Sequence, residues 1–512
     1  MDTSKESGEP EVAQRDLIAG IEEVTNKDHD LTVIQAFKVY PKAIAWSAVL
    51  SAALIMDGYD FKLFGLLVAQ PAFNEKYGKL QPDGTYQISA AWQSGLTNGS
   101  NIGQMVGLYL AGYLSDKLGF RRSMMITLLV IPFIIFLQFF APSLAVLEVG
   151  QVLLGIPLGI LETITCVYAV EVAPTCLRAF LTSYVSQNWV IGQIVAACVL
   201  HGVLNVEAPW SYRIPFAVHL LCARISMVAS TPKSARRSKA FACRLTSGQD
   251  AQDIDKTVTL MVLTTEHERE AGSSTTFAAC FQGTDLRRTI IVMGCYCMQI
   301  IAGTTLRAYS TYFFVQAGLS TTQAFNMSIV TYVLSFLGTC VMWCLMPYVG
   351  RRTLFISGLV ALCIIDFTIG GLGVPKATSN LSWAIASLLV VSAFVSYLCS
   401  VPVIFALVAE IPSSLLRSKS VAIARLSYTV LNIAANVLTP YQLNPSAWGW
   451  GAKSGFFWGG SCILGLIFAY FVVPEPKDKT VAELDLLFKK KVSARKFTAV
   501  RVDVSEVATK TG

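Results

Sequence analysis

Over 512 residues the chain is 54% hydrophobic and 14% charged, with a mean hydropathy of +0.54, whereas soluble globular domains carry about 25% charged residues. That excludes a soluble domain and points to a protein that lives in a bilayer. The formal net charge of +7 implies no nucleic-acid partner, since basic loops beside an anionic lipid leaflet account for much of the excess.

Residues 1–42 are polar, with an acidic cluster at Glu22, Glu23, Asp28 and Asp30 and no apolar run, so they read as a cytosolic tail and not as a cleaved signal peptide. Six apolar runs follow, near 43–70, 92–115, 122–141, 145–169, 181–203 and 213–229, each a candidate to cross roughly 30 Å of hydrocarbon as a helix. They define an N-terminal bundle over 43–230. Residues 231–287, the longest internal polar stretch, form a central loop. Six more runs, near 288–314, 325–346, 353–373, 382–409, 419–441 and 455–473, build a C-terminal bundle over 288–473, and 474–512 form a second tail. The expected fold is an all-α membrane protein of twelve helices in two bundles of six. Basic residues gather in alternate loops: Lys117, Arg121 and Arg122, then Arg351 and Arg352, then Lys489, Lys490 and Lys491. By the positive-inside rule these loops and both termini face the cytosol.

The thirteen cysteines are scattered, with no CxxC pair, and the four histidines are dispersed. This pattern suggests small apolar packing residues, with no metal, no cofactor and no disulfide framework. No nucleophile or cofactor motif speaks for an enzyme.

The two halves repeat each other. "SDKLGFRRSM" (115–124) follows the second run and "PYVGRRTLF" (347–355) the eighth; "EVAPTCLR" (171–178) follows the fourth and "EIPSSLLR" (410–417) the tenth. Repeated halves around a central site are the plan of alternating access. At these residues, together with "GYD" in the first run, Gly192–Gln193, "YSTYFFVQAGL" (309–319) and "PEPKDKTVAELDLLF" (474–488), the chain resembles the sugar porter family of the major facilitator superfamily. "TPYQLNPSAWGWGAKSGFFWGG" (439–460) is most similar to the fungal α-glucoside (maltose-type) permeases and their hexose-transporting relatives. The resemblance implies a twelve-helix major facilitator fold and proton-coupled import of an α-glucoside or hexose. It also implies a plasma-membrane location, with sugar, protons and lipid as partners and no obligate protein partner.

Site residues follow in three groups. Asp116, Arg121, Arg122, Glu171, Arg178, Arg351, Arg352, Glu410 and Arg417 match the family's gating network; guanidinium groups there can latch onto carboxylates and helix ends, or serve only to orient the chain. Sugar is uncharged and hydroxyl-rich, so its site needs amides, hydroxyls and aromatic rings inside spans. By resemblance Gln193, Gln299, Thr305, Tyr309 and Phe405 are candidates, with Asn432 and Gln187 from polarity alone, although any one of them could instead tie helices together. Ile300 and Thr305 stand where the family has a second glutamine and an asparagine. The third group is Asp60, the Asp of Gly-Tyr-Asp, and Asp57 one turn earlier. Carboxylates in mid-membrane are costly and are functional candidates, so Asp60 is read as a group that takes a proton outside and releases it inside. Asp57 shares its face, to share that proton, pair with a cation, or cap a break at Gly58. Two departures bear on coupling: Gln104 stands where the α-glucoside permeases usually have Glu, and Gln151 where many proton-coupled porters have Arg, a position at which the maltose-type branch commonly has Gln too.

The sixth run looks shortened or damaged. Residues 214–229 number 16, about 24 Å of helix, and Arg224 interrupts them at a cost of at least about 2.5 kcal/mol. A non-transporting sugar sensor, or a degenerate transporter that inserts poorly through this span, are the alternatives.

Overall fold

The computed structural model describes residues 41–500 other than 81–85, 173–174, 230–276, 317–318, 347, 376–378, 414–415, 445–446, 478, 480 and 499. Most of both expected tails and of the central loop lies outside the described residues.

Among the described residues, twelve helical spans are laid out in two sets of six. The first set comprises Pro41–Leu67 (broken at 52–53), Ala90–Leu118, Phe120–Phe139, Leu144–Val172, Thr175–Gly202 and Trp210–Ala229; the second comprises Gly283–Gln316, Thr321–Leu345, Arg351–Leu372, Ser379–Glu410 (broken at Ser400), Arg417–Leu443 and Ser454–Val472. Among the described residues, seven stretches are long and apolar enough to cross a membrane by composition alone. The others carry more polar side chains, as in span two, which buries Gln93, Asn98, Asn101 and Gln104. Outside the spans stand a short hairpin, Lys79–Leu80 with Tyr86–Gln87, and a tail helix, Val481–Lys489.

The breaks have local causes. Gly303 takes a left-handed φ of 76° and separates the two parts of span seven, a conformation only glycine adopts freely. Pro402 sits in the first turn of the second part of span ten, where its missing N–H costs nothing.

Each set carries most of one core, with Phe325 and Tyr332 of span eight packed into the first set's core and Val68 into the second's. Leu63, Ile131, Leu158, Ala197 and Phe216 belong to one, and Ile291, Phe355, Leu407 and Cys462 to the other. The tail helix joins the second core through Leu484, Leu487 and Phe488. The outer faces carry large apolar side chains such as Phe133, 70% exposed, and Leu464, 68% exposed, as a lipid-facing wall requires.

Within the first set, glycines let backbones touch. A Cβ on Gly155 would fall on the Ser100 carbonyl and beside Gly103, and one on Gly159 on the Gln104 backbone. Spans two and four therefore meet along small residues spaced four apart, the close packing that substitutes for a hydrophobic driving force in lipid. Gly58 and Gly192 do the same for spans one and five.

The sixth span runs further upstream than its apolar count. The helix is 20 residues, Trp210–Ala229, about 30 Å, because Trp210 to Arg213 continue it past the apolar stretch. Arg213 lies over the Phe139 ring of span three, and the Tyr59 hydroxyl of span one donates to the Pro215 carbonyl at 2.7 Å. The side chain of Arg224 lies outside the described residues.

Gly155→Val should cost about 1 to 3 kcal/mol through overpacking, lowering the melting temperature in detergent. Gly460→Val, where a Cβ meets nothing within 4 Å, should leave it in place. Equal melting of the two variants would contradict the packing argument.

Candidate functional site

Asp57 and Asp60 are both buried, one helical turn apart, and turn to different neighbours. Asp57 accepts from the Trp189 indole (Nε1 to Oδ2, 2.6 Å) and from Gln104 (Nε2 to Oδ1, 3.1 Å). Asp60 accepts from Gln151 (Nε2 to Oδ1, 3.1 Å). Thus span one hangs its two carboxylates on amide and indole donors of spans two, four and five. The two amides are the positions whose departures from the sugar porter pattern bear on coupling. Gly58 makes the Trp189 bond possible, because a Cβ there would collide with the Trp189 backbone.

Asp60 also borders a small pocket of about 20 Å³ with Phe64, Thr97, Gln151, Tyr309 and Asn436. Thr97 and Tyr309 share a hydrogen bond of 2.8 Å across the two bundles. Beside it Asn432 donates to Asn101 at 3.0 Å and Asn98 to the Ile433 carbonyl at 3.2 Å. Further in, Gln193 is buried beside the Tyr397 phenol. Gln299 and Thr305 are buried, and Gln299 Nε2, Thr305 Oγ1 and Asn432 Oδ1 meet no hydrogen-bond partner among the described residues. Phe405 stands edge-on to Tyr296 at 5.8 Å between centroids. Gln187 donates to the Phe336 carbonyl of span eight, a tie between bundles. Gln193, Tyr309, Gln187 and Asn432 thus meet the opposite bundle, Tyr309 reaching the Asp60 pocket and Gln187 and Asn432 engaged in ties, while Gln299 and Thr305 lie buried, and Phe405 half-buried, in the second.

Of the gating candidates, the side chains of Asp116, Arg121, Glu171 and Arg178 lie outside the described residues. Arg122 is exposed. In the second half Arg351 pairs with Glu410 at 3.3 Å, and Arg417 begins span eleven half-buried. Glu475, from the Pro-Glu-Pro-Lys stretch, caps span nine: its carboxylate accepts from the backbone N–H of Arg351 at 2.9 Å and of Arg352 at 3.0 Å. A negative group at a helix N-terminus meets the positive end of the dipole. Gly350 leaves room for it, since a Cβ there would overlap the carboxylate. Arg352 donates to the Tyr470 carbonyl. Arg288, at the start of span seven, pairs with Asp485 of the tail helix at 2.6 Å.

Five intramembrane charges escaped the sequence reading. Glu162 of span four and Arg425 of span eleven form a direct ion pair across the bundles, 7% and 6% exposed in their side chains. The guanidinium lies over the rings of Tyr428 at 4.4 Å, Trp189 at 5.4 Å and Tyr296 at 5.7 Å. Lys62 is buried between the rings of Phe61 and Tyr332. Arg307, buried after the Gly303 break, donates to Thr304 at 3.2 Å, and Asp366 of span nine lies beside Gly303. The rule that singled out Asp57 and Asp60, an ionisable residue in mid-span, applies equally to these.

A family model described as "Sugar (and other) transporter" matches residues 46–488. The chain belongs to that family. A maltose permease of Saccharomyces cerevisiae is 37% identical over 506 residues, covering 94% of this chain and 81% of the permease. A general alpha-glucoside permease of the same yeast is 35% identical over 521 residues, covering 98% of this chain and 84% of the permease. Among solved structures, the proton:xylose symporter XylE, of the major facilitator superfamily, superposes with a TM-score of 0.70 at 21% identity, over 88% of this chain and 99% of the symporter. The family member described here is an integral membrane transporter of the twelve-helix major facilitator fold and not an enzyme.

Loss of the Glu475 cap should weaken the start of span nine by about 1 kcal/mol. Glu475→Ala and Arg352→Ala are expected to slow turnover while leaving the ranking of competing sugars unchanged, because both act at span ends away from the buried amides. Competition uptake assays check this, and a changed ranking in either variant would count against a gating role.

Proposed function

We propose that this transporter imports an α-glucoside of the maltose type, or a hexose, together with a proton, by alternating access of its two bundles. The observation that carries the reading is the Asp60 pocket: a buried carboxylate shares one small space with Thr97 of the first bundle and Tyr309 and Asn436 of the second. A group able to take a proton and the hydroxyl and amide groups suited to a polyol thus meet at the interface that must open and close. The unpartnered polar atoms of Gln299, Thr305 and Asn432 add hydrogen-bonding capacity for sugar hydroxyls. Maltose and alpha-glucosides are what the relatives' names specify, and the coupling to protons is argued from Asp60.

In this reading Gln193, Gln299, Thr305, Tyr309, Phe405 and Asn432 serve the sugar, and Asp60 serves the proton with Asp57 beside it. The Arg351–Glu410 pair and the Glu475 cap steady the cytosolic ends of the second bundle in one of its states. Residues 43–230 and 288–473 are the two rocking bodies, joined by the cytosolic loop 231–287. Both tails are cytosolic, and the membrane is the plasma membrane.

Asp60→Asn should abolish accumulation against a gradient, because the amide carries no proton, whereas Gln299→Ala should weaken sugar affinity by about tenfold, the cost of a lost hydrogen bond of about 1 to 1.5 kcal/mol. Radiolabelled maltose and glucose uptake in a yeast lacking its own transporters, with and without an uncoupler, measures both. Uphill uptake by the Asn variant would remove Asp60 from the mechanism, and a wild-type chain that moves neither sugar would overturn the function itself.

A further inference from the structure

We propose that Glu162 is a second proton site, and that its ion pair with Arg425 locks the two bundles together until Glu162 takes up a proton. This rests on the transport reading above and adds a residue that neither the family pattern nor Asp60 supplies.

The pair joins span four of the first bundle to span eleven of the second and is almost fully buried. Alternating access has to part these spans, and parting them leaves two opposite charges unpaired in a medium of low dielectric constant. Removing one member of a buried pair typically costs about 3 to 5 kcal/mol. An intact ion pair therefore opposes opening, and a proton on the carboxylate lowers that cost.

The local charges balance around one proton. Asp57 and Glu162 bring two negative charges and Arg425 one positive charge, with Asp60 one turn further along span one. The phenols of Tyr296 on span seven, Tyr397 on span ten and Tyr428 on span eleven face the same cluster. One added proton brings the Asp57, Glu162 and Arg425 trio to neutrality.

Hydrogen bonding says where that proton goes. Both Asp57 oxygens accept from side-chain donors, Trp189 and Gln104. Glu162 uses Oε1 on Arg425, and its Oε2 is buried with no partner among the described residues. A proton on Oε2 breaks no hydrogen bond, whereas one on Asp57 would break a bond to a neutral donor. After protonation Arg425 faces one carboxylate in the closed cluster, Asp57, in place of two. The step balances simply: a proton from the outer side forms an O–H bond at Oε2, and the ion pair becomes a hydrogen bond from the Arg425 cation to a neutral carboxylic acid. When the site faces inward the O–H bond breaks, the proton leaves to the inner side and the ion pair reforms.

This also accounts for Gln104. An amide there donates to Asp57 and fixes it as an anion, while the titratable partner sits across the cluster on span four.

The test compares wild type, Glu162→Gln, Glu162→Asp and the double variant Glu162→Gln/Arg425→Gln, all as full-length chains. Surface level is read by a tag, and ¹⁴C-maltose is followed in cells and in proteoliposomes. For Glu162→Gln we expect accumulation to fall to equilibrium, inside equal to outside. Sugar exchange across preloaded vesicles should persist, and uptake should depend less steeply on outer pH, with the dependence that Asp60 supplies remaining. Glu162→Asp should retain accumulation. If Glu162→Gln fails to reach the membrane, the double variant, which removes both members of the ion pair, should show the same loss of accumulation with exchange retained. Accumulation at the wild-type level in the Gln or the double variant, or loss of exchange together with accumulation at normal surface level, overturns the proposal. Asp60→Asn failing to accumulate while Glu162→Gln accumulates normally would sink this inference alone. A wild-type chain that carries no sugar would sink the transport reading and this one together.

Discussion

A carboxylate inside a membrane helix must be answered by something, and in this protein the answer for Asp57 and Asp60 is a set of neutral donors. Trp189, Gln104 and Gln151 each aim an N–H at one of the two side chains. Neutral donors satisfy the oxygens without cancelling the charge, so the carboxylates stay in place yet retain a reason to bind a cation or a proton. The helix packing of the first bundle serves this arrangement. Gly58 brings span five close enough for the indole to reach Asp57, and the glycines at 103, 155 and 159 bring span two against span four. A Cβ at any of these would meet the neighbouring span's backbone and push apart the helices that carry the donors.

The second bundle is built on different terms. Its span seven breaks at Gly303, and Arg307 and Asp366 gather beside that break. Its span ends are held by charge: Glu475 caps span nine, Arg351 meets Glu410, and Arg288 reaches the tail helix at Asp485. The tail is thus part of this bundle's core, tied in by Phe488 as well as by charge. Motion of the second bundle would carry its tail with it, and the first bundle has no described counterpart to that attachment.

Much of this plan was legible in the sequence. Span positions followed from apolar length, the two-bundle layout from the long polar stretch, and the Gly-Tyr-Asp carboxylates from their cost in lipid. What escaped was pairing. Glu162 lies in "GILETI" and Arg425 in "AIARLSY", 263 residues apart, and no local spacing ties one to the other; only the approach of spans four and eleven does. The roles of Gln104 and Gln151 were hidden for the same reason. Read singly they are lost charges, and only the folded chain shows that each donates to a different aspartate. The sixth span misled in another way. Counting apolar residues stopped at Ile214, whereas the helix starts at Trp210, because Arg213 has an aromatic ring to lie on and Tyr59 a carbonyl to bond.

The interface between the bundles mixes two kinds of contact, and their magnitudes decide which one governs opening. Thr97 with Tyr309, Asn98 with Ile433, Asn101 with Asn432, Ser183 with Trp343 and Gln187 with Phe336 are neutral hydrogen bonds. Interhelical bonds of this kind in membranes are worth on average about 0.6 kcal/mol each, so the set together amounts to about 3 kcal/mol. Neutral groups released from such bonds can also find sugar hydroxyls or water as replacements. Arg425 and Glu162 have no such substitutes in hydrocarbon, and separating them as ions costs about as much as parting all five neutral contacts. The neutral contacts can therefore exchange partners as the bundles move, while the Glu162–Arg425 ion pair sets the condition under which they move.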